Sequence, residues 1–435
     1  MFLMISLLIV IILIDTFLIR FYDLINKNLV PLTARITVFG ATIVLCLLLE
    51  FVLLRNTKQL NFNIKAKKKI SFEKFLYISL LSISVLVGLL LFQILYLNYY
   101  STDLLLSVIL VIYGTVIILI VRTMILFASW YRINLDLVFL LYSISMSMII
   151  FNLSLTCIVL VVNLDQKPEQ IRQFSGGSMD ITAGRYGILS SALMISSILS
   201  FGSIWLTTAL LMHSAKDQLI EEIRYWSILV IPLIYFLISY FAQDIFSSML
   251  FPMLVTDPVS VSRILTSFFI LSKPIGGIIF GILYWRISRQ VRFEKSLQRY
   301  MIISGYGFLL LFSANQSVSL VLGPYPPFGV ATATILVLAA YFILTGIYVS
   351  ATVVSSDTQL RSTIYKMARE SKLLDLLGKV EAQKEVEESV AEIMKKVELS
   401  ESSKDFNYEM DETEFRSYLE EVMDELGKRK NQDNL

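Results

Sequence analysis

Lys273 is the residue with the most chemistry to offer. It stands in the run Leu271-Ser-Lys-Pro-Ile-Gly-Gly-Ile-Ile-Phe-Gly281, about ten residues from charge on either side. An ammonium at that depth of an apolar segment is costly and turns toward protein, water or a carboxylate. The carboxylates at a matching outer depth are Asp15 and Asp244, and Glu50 falls closer to the other side. Pro274 follows Lys273 directly, lacks an amide hydrogen and predicts a kink. Gly276 and Gly277 permit close backbone approach there, and Gly277 with Gly281 forms a small-residue face. The set reads as a bent helix lining a polar ligand-binding site with Lys273 as its positive anchor. The same residues also fit a snorkelling lysine beside a packing kink.

Other polar residues have plainer readings. Asp15 and Glu50 lie about five residues from a segment end and read as interfacial carboxylates. Gln93, Asn152 and Asn163 are placed to bond between helices, each worth about 0.6–2 kcal/mol. Pro232 reads as a kink. His213 is the single histidine and ends an apolar segment, and Cys46 and Cys157 sit inside apolar runs. That inventory offers neither multi-histidine metal chemistry nor a disulfide framework. No phosphate-binding loop, nucleophile elbow, zinc-helix pair or C-x-x-C pair occurs. The expectation is a non-enzyme with no cofactor and no metal.

The elements that must position these residues are membrane spans. The hydrophobic fraction is 56% and the charged fraction 17%, with a mean hydropathy of +0.71. Most of the first 354 residues are apolar runs long enough to cross about 30 Å of hydrocarbon. Ten spans are expected, near 2–19, 36–54, 75–97, 104–121, 134–162, 187–212, 226–246, 262–285, 300–321 and 329–353. The first lacks a basic flank and a cleavage site, so it reads as a retained span. The fold class is therefore all-α, a polytopic helical bundle, and the bilayer is its first partner.

Lysine and arginine set the orientation. Loops on one side carry 16 of them, including Lys65, Lys67, Lys68, Lys69, Arg286, Arg289 and Arg292, against seven on the other. The richer side is cytoplasmic. With ten spans, both termini of this cell-membrane protein face the cytoplasm. Trp130, Trp226 and Trp285 fall at inner boundaries and Tyr96, Tyr99 and Tyr325 at outer ones, as amphipathic rings prefer. A net charge of +2 and the absence of a basic, aromatic stripe argue against nucleic acid.

The last segment, 329–353, runs from the turn sequence Gly323-Pro-Tyr-Pro-Pro-Phe-Gly329 straight into a charged tail, so the domains are 1–354 in the membrane and 355–435 in the cytosol. The tail predicts a helix over about 358–399, with a weak point at Gly378, and a short helix over about 412–427. Val386, Val390, Ile393 and Val397 recur at spacings of 4, 3 and 4, as do Phe415, Leu419, Val422 and Leu426. That is the seam of a coiled coil or of a helix docking on a protein. Asp411 and Glu414 supply a capping box for the second helix.

At Gly323–Gly329, its helix and the following Ser356-Asp-Thr-Gln-Leu-Arg-Ser-Thr-Ile-Tyr-Lys-Met-Ala-Arg-Glu-Ser-Lys-Leu-Leu-Asp-Leu-Leu-Gly378, the chain resembles uncharacterised multi-spanning membrane proteins of ammonia-oxidising archaea. That resemblance implies an archaeal source and no particular activity. Over about 330–370 the chain is also similar to the last span and exit helix of seven-helix sensor regions of histidine kinases. It departs from them in three extra spans and in a tail with neither a histidine nor a glycine-rich nucleotide site. The reading is a receptor-like or scaffold protein, signalling through its tail to a cytosolic partner or a second copy. The alternatives are a secondary transporter with a polar site near Lys273 and a structural subunit of a membrane complex.

Overall fold

Backbone amides inside hydrocarbon have no water to bond, so a spanning chain closes its hydrogen bonds within itself. The computed structural model describes residues 2–20, 31–61, 70–97, 99–165, 187–213, 226–227, 229–239, 271–291, 294–315, 326–356, 373–374, 376–384, 386–387 and 390. Every regular element among them is a helix. In chain order these are α1 Phe2–Arg20, α2 Leu32–Asn61, α3 Ile70–Leu97, α4 Thr102–Ile133 and α5 Leu137–Asp165. They continue with α6 Gly187–His213, α7 Leu229–Ser239, α8 Ser272–Gln290, α9 Lys295–Ala314 and α10 Val330–Ser356.

Six of the described helices are long and apolar enough to cross a membrane: Leu32–Thr57, Lys74–Leu97, Thr102–Ile133, Leu137–Val162, Ser191–Leu211 and Val330–Ser355. They answer to the second to sixth and the tenth of the expected spans. The first and seventh contain the shorter apolar stretches Leu3–Leu18 and Leu229–Ser239. Outward faces stay apolar: Leu48 and Phe51 on α2, and Ile78, Leu81, Val85, Leu89 and Phe92 on α3, are all exposed. A row of bare apolar side chains at helical spacing fits lipid and not water.

Burial centres on α10, which is covered along its whole span Val330–Ser355. It packs against α9, α4, α2 and α1, while α9 is held between α8 and α10. A helix apolar all round belongs in such an interior. Glycines set the spacing. A Cβ on Gly281 of α8 would lie 2.9 Å from the Gly305 carbonyl oxygen of α9. One on Gly307 of α9 would lie 2.8 Å from the Ile343 nitrogen of α10, and one on Gly346 would lie 2.8 Å from the Tyr300 carbonyl oxygen.

Helices α4 and α5 form a tight corner. The Asp136 carboxylate accepts from the Val138 amide at 2.8 Å, which caps the start of α5. Trp130, Phe139 and Phe127 meet at this corner, and Phe127 stacks on Tyr142 with centroids 4.7 Å apart.

The tail begins differently from expectation. The first compact unit runs from Met1 to Ala382, and the second is Gln383–Leu435. Leu373, Leu374, Leu377 and Val380 are buried within the first unit. Gly378, expected as a weak point, is where the Val354 side chain fits against the helix. The described residues 373, 374 and 376–382 therefore belong to the same compact unit as the helices before them, with their apolar side chains covered. In the second unit the described residues 383, 384, 386, 387 and 390 are helical. Gln383 bonds Glu387 one turn on, at 3.5 Å, and Val386 is exposed. Val390 is partly buried. Ile393, Val397, Phe415, Leu419 and Val422 lie outside the described residues.

Candidate functional site

The first turn of a helix leaves amide donors without intrahelical partners. In α10 that turn follows a buried bend at Pro326, Pro327, Phe328 and Gly329, with the Phe328 ring edge-on to Phe39 of α2. The Thr332 amide donates to Asp15 Oδ2 at 3.1 Å, and the Thr332 hydroxyl donates to the same oxygen at 2.6 Å. Asp15 of α1 thus does from another helix what an N-cap side chain does locally. The positive end of the helix dipole favours a carboxyl group there.

Two residues further, the Thr334 hydroxyl lies 2.8 Å from Glu50 Oε1 and 2.9 Å from the Ala331 carbonyl oxygen. The Cys46 thiol, one turn before Glu50 on α2, lies 3.4 Å from the same Glu50 oxygen and 3.5 Å from the Ala331 carbonyl. Cys46 falls near the middle of the apolar run Leu32–Thr57, so the group sits deep in α2. Asp15 and Glu50 are fully buried, and Asp15 Oδ1 and Glu50 Oε2 meet no hydrogen-bond partner. Both carboxyl groups, expected as interfacial, are enclosed by protein. The start of α10 brings them their donors, Thr332 and Thr334.

Lys273 occupies a second polar locus. Its ammonium donates to the Asn315 carbonyl oxygen at 3.0 Å. The Asn315 side chain donates to Asn152 Oδ1 at 3.0 Å, and Asn152 donates to Ser196 Oγ at 2.9 Å. One chain of bonds thus joins α8, the end of α9, α5 and α6. The cation complements the negative end of α9. Lys273 and Asp15 each have other partners and form no ion pair with one another. Asp244 lies outside the described residues.

Pro274 is the third residue of α8, whose first residue is Ser272. Proline in a first turn forgoes an amide hydrogen that would have been orphaned anyway. The expected kink at Pro274, Gly276 and Gly277 is therefore a helix start with a packing face. Gly276 lies against the Phe201 ring, and a Cβ on Gly277 would lie 3.0 Å from the Leu309 carbonyl oxygen. Phe201 itself stacks on Phe236, with centroids 3.8 Å apart.

A third contact lies at the other end of α10. The Trp130 indole donates to Glu381 Oε2 at 2.8 Å, with both residues buried. Glu381 and Gly378 fix residues 373–382 against the ends of α4 and α10. Sequence reasoning placed Trp130 at a boundary and did not find this bond. Gln93, expected between helices, accepts from the Ser101 amide at the start of α4. Thr332 and Thr334 were missed too; their only signal is two threonines just after a proline-rich turn. Among the described residues, no three histidine, cysteine, aspartate or glutamate side chains are grouped to hold a metal ion. Comparison with protein-family models, with curated proteins and with solved structures finds no match.

Proposed function

We propose that this is a non-enzymatic, receptor-like or scaffold protein whose ten-span body reports its state through α10 to a cytosolic helical tail. In this reading both termini are cytoplasmic, and the seam beginning at Val386 and Val390 engages a cytosolic partner or a second copy. The observation that carries it is the placement of α10. This helix is buried throughout, meets Asp15 and Glu50 at its first turn, and meets the exit segment at Val354. A rigid buried helix moves as a unit, so a change at its start bears on whatever is docked at its end. Full-length chain and a chain ending at Ala382 would be compared by crosslinking and pull-down from native membranes. Partners are expected with the first and not the second. Recovery of the same partners by both would sink the reading.

A second reading, secondary transport, is favoured by the bonded chain Lys273, Asn315, Asn152 and Ser196 across four helices. Polar groups at helix ends inside a bundle are the usual build of transporter sites. Solute uptake into proteoliposomes that is abolished by Lys273→Ala would support it, and uptake indifferent to that change would remove it.

A further inference from the structure

We propose that Asp15 and Glu50 form a proton-binding site inside the membrane body. This deepens the receptor reading by naming the ligand of its α10 contact, and it rests on that reading only for the consequence in the tail. The geometry makes the argument. Each carboxyl group has one oxygen that accepts hydrogen bonds, Asp15 Oδ2 from Thr332 and Glu50 Oε1 from Thr334 and Cys46. Each has a second oxygen, Asp15 Oδ1 and Glu50 Oε2, that is buried and meets no partner. That division is the one a neutral carboxylic acid makes, with an accepting carbonyl oxygen and a separate hydroxyl. An ionised carboxylate in the same place would hold a charge away from water with only these donors and the α10 dipole against it, which costs more than an unbonded hydroxyl.

Among the described residues, no lysine or arginine donates a hydrogen bond to either carboxyl group. The first turns of α10, residues 330–338, carry no titratable side chain, and neither do residues 308–314 of α9, which also packs on α1. On α2 the titratable neighbour is Cys46, within electrostatic reach of both carboxyl groups. Along α2, Arg35 lies about three turns from Cys46 and about four from Glu50. A metal cation would need several oxygen ligands around one point. The described side chains offer no such grouping of three. The proton is the cation that fits. Its release to water leaves a carboxylate, which no longer fits between α1, α2 and α10.

The test is infrared difference spectroscopy on the full chain in liposomes, stepping from neutral to alkaline pH. A protonated-carboxyl carbonyl band is expected at neutral pH and is lost on alkalinisation. Asp15→Asn removes one component and Glu50→Gln another. Carbon-13 labelling of aspartate shifts the Asp15 component in the unmutated protein, so the assignment survives a variant that does not fold. Absence of the band at neutral pH in the unmutated protein would overturn the proposal. So would its persistence in the folded double variant, or its loss on replacing choline with sodium at constant pH. Tail-dependent pull-down is a separate readout, so failure here and failure of the receptor reading are told apart.

Discussion

The Thr332 amide has no partner within α10 and finds one in Asp15, which lies 317 positions away in the chain. Removing that acceptor leaves a buried donor unsatisfied. Asp15→Ala should lower stability by about 1–3 kcal/mol, measured by unfolding in detergent, and Asp15→Asn, which keeps an acceptor, should lower it less. Trp130 and Glu381 make the matching case at the far end of α10. Trp130→Phe should strip the donor from a buried carboxyl group and release residues 373–382 to protease, while Glu381→Gln should keep them protected. Unchanged cleavage in Trp130→Phe would show that the bond does not hold the segment. At this scale the sequence showed which residues are costly but not what satisfies them. Asp15 and Glu50 were read as interfacial from distance along their own helices, which shows nothing of what encloses them. The donors that bond them sit on a helix remote in sequence. Lys273 was marked as a residue needing a partner, and its ammonium bonds a main-chain carbonyl at a helix end, which carries no side-chain signature.

Elements pack here by backbone proximity. Gly307 sits where a side chain would meet the Ile343 nitrogen and the Ala339 carbonyl oxygen. Gly307→Leu should therefore force α9 from α10 and cost about 1–3 kcal/mol or more in the same unfolding measurement. Gly88 on α3 has open space around it. Gly88→Ala should be neutral or stabilising by up to about 1 kcal/mol, since alanine favours helix. Equal loss at both sites would refute the packing account. The apolar runs made most helices legible. They did not reveal that α10 is encased while α3 carries a bare apolar flank, because lipid and protein interior select the same residue types. Alanines and glycines in α10, such as Ala331, Ala339 and Gly346, are the trace of its encasement. Pro274 reads as a kink only if its helix extends well before it, and α8 starts two residues earlier.

At the scale of the whole molecule, composition announced a membrane body and a charged tail, and the described helices agree with both the class and the apolar exterior. The first compact unit keeps residues up to Ala382, beyond the end of α10. The tail helix expected from about 358 shares that unit through Leu374, Leu377 and Val380, since a sequence shows apolar residues without showing what covers them. A chain ending at Ala382 should melt like the full chain, and one ending at Ser356 should melt lower, because it loses Leu374, Leu377 and Val380 from the interior. The central claim is coupling along α10, which is about 40 Å long for its 27 residues. Its most direct test is amide hydrogen exchange over residues 373–382 in the unmutated chain and in Asp15→Ala with Thr334→Val. The account predicts faster exchange in that exit segment when only the far end of α10 has been altered. Faster exchange confined to the first turn of α10, with residues 373–382 unchanged, would contradict it.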